Sequence, residues 1–198
     1  MGTVNCTFGI TGNLLQDCLS RPISGAEGLA YAFNRKDVYE GTGSFTLDAQ
    51  NPNKVTDLSL NATKLAYKIG GFKKEIDAGH DLVVSDTSPD KYNQYFKFEP
   101  WQISAEATQK LDNLADVVIV VERRNKGVAG DGAFIILGLE TGLYKSSDNM
   151  RLNDADGKRI IELTNLDEQE STVSNHVLDA GGYAATKALL EGLLALPA

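Results

Sequence analysis

The chain has 198 residues, enough for one domain with an appendage, and its 42% hydrophobic share is enough to build a real core. Its 27 acidic residues against 19 basic ones give a formal net charge of -8, which excludes general nucleic-acid binding through phosphate neutralisation. Two cysteines, Cys6 and Cys18, do not make a disulfide framework; their spacing permits a bond, and free thiols are the expected state.

The opening residues carry no basic segment and no long apolar run, so no secretory signal is expected, and Cys6 stands where a myristoylation start requires Ser or Thr. No run approaches transmembrane length. Residues 3–23 read as a short strand and loop. Residues 25–28 read as a turn, followed by a strand at 29–34, where large and small residues alternate (Leu29, Ala30, Tyr31, Ala32, Phe33). Residues 42–53 are polar. Val55, Leu58 and Leu60 mark a half-buried strand, and 64–74 continues the sheet, with a bulge expected at Gly70-Gly71. A further strand carries Leu82, Val83 and Val84, and residues 86–90 have turn composition. Tyr92, Tyr95, Phe96 and Phe98 define an aromatic strand.

One central helix is predicted over 104–115. Ser104 is its N-cap, and Ile103, Ala107, Leu111, Leu114 and Ala115 form the stripe that faces the sheet. Next comes Val117-Val118-Ile119-Val120-Val121, five β-branched residues without a break, the pattern of a strand covered on both faces. A polar, glycine-rich tip at 123–132 leads into a second apolar run, Ala133 to Gly138, which extends through Lys145. This is a hairpin, but the tip exceeds the roughly two to five residues of a tight loop, so it is expected to do more than turn the chain. Residues 146–156 read as a polar loop. A last strand runs over 159–168, with Ile161, Leu163 and Leu166 inward.

After Glu170 the character changes. Residues 171–182 are polar and without periodicity. Residues 184–196 form a helix stopped by Pro197, with Leu189, Leu190, Leu193, Leu194 and Leu196 on a wide apolar face. The expected organisation is therefore a mainly β domain over 1–170, an antiparallel β-sandwich or rolled sheet flanked by the central helix. Residues 171–198 follow as a linker and C-terminal helix, appended to the sheet rather than threaded into it.

No constellation assembles an active site. His80 and His176 sit in separate polar segments without metal-ligand neighbours, and Asp154-Ala155-Asp156-Gly157 lacks the remaining ligands of a calcium loop. Gly127, Gly130 and Gly132 follow a strand but open no helix, so no helix N-terminus is available to hold phosphate. The Tyr92–Trp101 aromatics suit a core better than a base-stacking platform. No catalytic residue, metal or cofactor is expected. The candidate contact residues are Arg123, Arg124 and Lys126 in the basic tip, read either as a solvated turn or as a dock for an acidic neighbour. The leucines Leu189, Leu190, Leu193 and Leu194 join them, either folding back on their own sheet or docking on a neighbouring subunit, with docking the preferred reading.

The order of these pieces resembles phage tail tube proteins, particularly those of phages infecting Bacteroidetes-type bacteria. The likeness runs from the Cys6, Cys18, Pro22, Gly25 segment into Leu29–Asn34. It continues through the aromatic strand, the helix with Leu111 and Leu114, and Val117 to Glu122 with its tip. It ends with Phe134 to Leu143 and the closing strand near Glu170. It covers roughly residues 4–170 and does not extend to the tail. The resemblance implies a virion protein of the tail, made in the host cytoplasm, that assembles into hexameric rings. The rings stack into a tube alongside other tail proteins, and DNA passes through without being gripped. A tail terminator, a head–tail connector ring, or a non-viral β-sandwich binding module are the alternative readings.

Overall fold

The computed structural model describes residues 25–70, 76–101, 104–127, 129–151, 153 and 158–194. Cys6, Cys18, the expected strand at 3–23, Gly71, Ile103, the Asp154–Gly157 turn and Leu196 lie outside them.

The chain is mainly β, and its described residues build two sheets and three helices. In order the elements are β1 (Ala26–Asn34), α1 (Lys36–Tyr39), β2 (Ser44–Leu47), β3 (Lys54–Ser59), β4 (Tyr67–Gly70), β5 (Ile76–Val83) and β6 (Lys91–Phe98). Then follow α2 (Ala105–Asp112), β7 (Val117–Arg123), β8 (Phe134–Leu137), β9 (Tyr144–Met150), β10 (Arg159–Thr164), β11 (His176–Leu178) and α3 (Tyr183–Gly192). One sheet has the order β2-β3-β11-β8-β7-β1-β4 and the other β5-β6-β10-β9. Every strand pairing is antiparallel except that of β11 with β3.

The period-2 alternation of strands divides the core in two. Tyr31, Phe33, Val118, Val120, Phe134 and Ile136 face one side of the seven-stranded sheet, where α3 lies. Ala30, Ala32, Val117, Ile119, Val121, Ile135 and Leu137 face the other side and meet Phe96, Phe98, Ile161 and Leu163 of the second sheet. The layers are therefore helix, sheet, sheet. This explains the unbroken apolar run of β7: both faces are covered, and Val117 to Glu122 are all buried. It also explains the large–small alternation of β1. Its large residues fill the helix side, and its alanines let the second sheet approach.

The predicted hairpin is present, with β7 paired to β8 from Ile119↔Leu137 to Glu122↔Phe134. Ser104 caps α2, its Oγ accepting from the Ala107 amide at 3.2 Å, and Leu111 and Leu114 pack against the inter-sheet core.

Three expectations between Ala133 and Glu168 are corrected. The second hairpin strand does not run on through Lys145. Gly138 and Gly142, at φ 74° and 75°, reverse the chain and pass it to the second sheet. A Cβ at Gly138 would stand 2.8 Å from the Val117 carbonyl oxygen, so only glycine permits this crossing. Residues 144–150, expected to include a polar loop, form β9, an edge strand exposed over most of its length. The closing strand ends at Thr164, and Leu166 is exposed rather than inward.

The largest correction concerns the tail. Residues 176–178 are not appended: β11 lies inside the seven-stranded sheet, between β3 and β8. The polar stretch before it is held by two side chains. Gln94 Nε2 donates to the carbonyls of Val173 and Ser174 at 3.1 and 3.0 Å, while Glu140 accepts from the Thr172 amide at 2.9 Å and the Ser171 hydroxyl at 3.0 Å. This chain segment lacks periodicity because its polar groups are satisfied by distant side chains instead of by a ladder.

Candidate functional site

The tip and the C-terminal helix meet at Glu122, where Lys126 is the candidate residue brought in and Arg123, Arg124 and the leucines lie elsewhere. Consecutive residues at the end of β7 point to opposite faces, Glu122 toward α3 and Arg123 toward the second sheet. Glu122 is buried, with 5% of its surface exposed. Its Oε1 accepts from Tyr183 Oη at 2.8 Å and pairs with Lys126 Nζ at 2.8 Å; its Oε2 pairs with Lys187 Nζ at 2.8 Å. Lys126 also lies 4.2 Å from the Tyr183 ring centroid, and that ring stacks on Phe134. Burial alone would raise the Glu122 pKa. The hydrogen bonds from Lys126, Lys187 and Tyr183 outweigh it and hold the carboxyl below its ordinary value. Lys126 is therefore the anchor of the tip to the chain's own helix.

The four candidate leucines lie against the chain's own sheet, the fold-back arrangement of the two readings. Leu190 is fully buried, and Leu189, Leu193 and Leu194 pack against the helix-side core. The helix end is fastened by the Ala66 amide donating to the Leu193 carbonyl at 2.7 Å. Glu191 adds to this, accepting from Tyr31 Oη at 2.7 Å and Lys68 Nζ at 2.9 Å.

Arg123 and Arg124 are left for other work. The Arg123 backbone is locked into the sheet, its amide donating to the Ala133 carbonyl at 2.7 Å with Ala26 across the ladder. Its side chain lines a cleft of about 380 Å³ between the two sheets, together with Asp77, His80, Tyr95, Val121, Asn125, Ile135 and Asn175. The guanidinium makes no hydrogen bond or ion pair among the described residues, and burial lowers its pKa from the ordinary arginine value. Across the cleft the Tyr95 phenol is raised, first by burial and then by Asp77, Asp81 and Glu162, so it keeps its proton. Arg124 half-covers Gly25, whose missing Cβ would lie 3.7 Å from the guanidinium.

The histidines separate. His80 stands edge-on to Tyr92 at 5.5 Å. His176 is buried, with Nε2 3.8 Å from Glu140 Oε1, an electrostatic contact beyond hydrogen-bond length, and Nδ1 without a partner among the described residues. His176 contributes most to lowering the Glu140 pKa to about 2; burial opposes it, and the Thr172 amide and the Thr172 and Ser171 hydroxyls add to it. Among the described residues no cluster of His, Cys, Asp or Glu is arranged to hold a metal ion, and no helix is long and apolar enough to cross a membrane.

Glu122, Gln94 and Glu140 are the positioning residues that sequence reasoning missed. The only available signal was a charged residue closing an otherwise apolar strand. No protein-family model, curated protein or solved structure matches the chain.

Proposed function

We propose that the chain is a structural protein of a phage tail, self-assembling into rings, hexameric by the resemblance, that stack into a tube for DNA. The two-sheet sandwich with a flanking helix suits this reading. So does the acidic balance of -8, since an acidic lumen repels a polyanion and lets it slide. No measurable binding to duplex DNA at physiological salt is expected.

The observation that carries the reading is the free edge of the second sheet. β5 pairs with β6 over all eight residues, Ile76↔Phe98 to Val83↔Lys91, and among the described residues no strand covers its other side. Leu82 is 53% exposed and Val84 70% exposed at the far end. An uncovered edge carrying apolar side chains is a template for pairing with another chain, and soluble monomers blunt such edges. Negative-stain microscopy of the purified protein tests the reading: rings or tubes support it, and a monomer at high concentration overturns it.

A terminator or connector ring has the same features but yields single rings without stacking. The Arg123 cleft favours a second reading, a non-viral β-sandwich binding module, which would be a monomer that takes a ligand.

A further inference from the structure

We infer that the cleft between the two sheets binds a carboxylate group, held by the Arg123 guanidinium with neutral donors around it. The inference holds whether or not the protein forms tubes.

An arginine at the mouth of an inter-sheet core is costly unless something uses it. Its hydration is reduced by burial, yet no carboxylate of the described residues reaches it. Three lysines in this part of the fold do have such a partner: Lys126 and Lys187 have Glu122, and Lys54 has Asp179 at 2.7 Å. The Arg123 backbone is fixed between β1 and β8, so the fork is presented from a rigid element.

The walls select the ligand. Asn125, Asn175 and Tyr95 supply uncharged donors, while Val121 and Ile135 form an apolar floor. Among the described residues Arg123 is the one arginine or lysine lining the cleft, His80 stands on the same wall as a further nitrogen donor, and Asp77 adds a negative charge. One guanidinium facing one wall carboxylate suits a planar monoanion and disfavours a phosphate dianion. The fork geometry matches the two oxygens of a carboxylate. The carboxylate can come from a small acid or from an Asp or Glu side chain on a second copy of this chain.

The test uses the full chain, labelled so that the Arg123 Nε–H signal is followed by NMR while acetate, glutarate or inorganic phosphate is added at constant ionic strength. A saturable shift of that signal with acetate or glutarate, and weaker binding of phosphate, is expected. In the variants, which lack that signal, binding is followed through the side-chain amides of Asn125 and Asn175 on the cleft wall; Arg123→Lys keeps the charge but not the fork and should weaken binding about tenfold. Arg123→Gln should abolish it. If the Gln variant does not fold, the wild-type titration and the Lys variant still decide. Sedimentation at rising protein concentration separates the sources. Self-association that glutarate competes away and Arg123→Lys weakens assigns the carboxylate to a second copy; association indifferent to both assigns it to a small acid. No saturable shift of the Arg123 signal, tighter binding of phosphate, or equal affinity in Arg123→Gln would each overturn the inference.

Discussion

Glu122 on β7 and Lys187 on α3, 65 positions apart, meet at 2.8 Å, and this pair closes the C-terminal helix over the central hairpin. Lys126 approaches the same carboxylate from the tip at 2.8 Å, so one buried acid ties three segments together.

That sharing sets how the lysines behave on mutation. Both are partly exposed, at 34% for Lys126 and 39% for Lys187, whereas the Glu122 side chain is 6% exposed. Lys126→Met or Lys187→Met alone should cost about 1 kcal/mol or less, since Glu122 keeps one cation and Tyr183. The double variant strands a buried carboxylate and should cost about 3 kcal/mol, more than the sum. Urea denaturation of the four proteins measures it, and simple additivity would refute the shared-anchor account.

Truncation after Glu170 should unfold the protein instead of merely disarming an assembly arm. It removes β11 from between β3 and β8 and uncovers the helix-side core. A milder probe is Leu190→Ala, expected to cost about 2–5 kcal/mol because the side chain is fully buried. A truncated chain with native circular dichroism and cooperative melting would contradict the interior placement of β11.

Stability should fall in acid partly through Glu140. Its carboxyl is depressed from the ordinary 4.5 to about 2 by His176 first and then by the hydrogen bonds of Thr172 and Ser171. A depressed carboxylate stabilises the fold above its unfolded pKa, and that contribution is lost as pH falls from about 4.5 toward 2. The urea midpoint of the wild type should therefore drop across this window, and Glu140→Gln should flatten the drop while lowering the midpoint at pH 7. Parallel curves for the two proteins would exclude Glu140 as a source.

Replacing Leu82 and Val84 by Glu should abolish ring or tube formation while leaving the melting temperature within a degree or two, because both side chains stand in solvent in the single chain. Electron microscopy and calorimetry on the same sample give both readouts. Unchanged assemblies would remove the β5 edge from the interface.

What the sequence determined by itself was what lies within one element. Five consecutive β-branched residues from Val117 to Val121 specify a strand covered on both sides, Ser104 specifies a helix start, and the Tyr31 and Phe33 alternation with alanines specifies a strand lying on a core. These signals are local and periodic, so they survive without the fold. The tertiary structure alone decided where charges and short strands went. β11 has three residues, too few to show a period, and it is buried because β3 and β8, distant in sequence, flank it. β9 reads as a polar loop because an edge strand is held chiefly by its backbone. Glu122 and Arg123 look alike in sequence as polar residues closing a strand. One becomes a buried anchor and the other lines a cleft, because the pleat turns neighbours to opposite faces and only the packing of α3 and the second sheet says what each face meets.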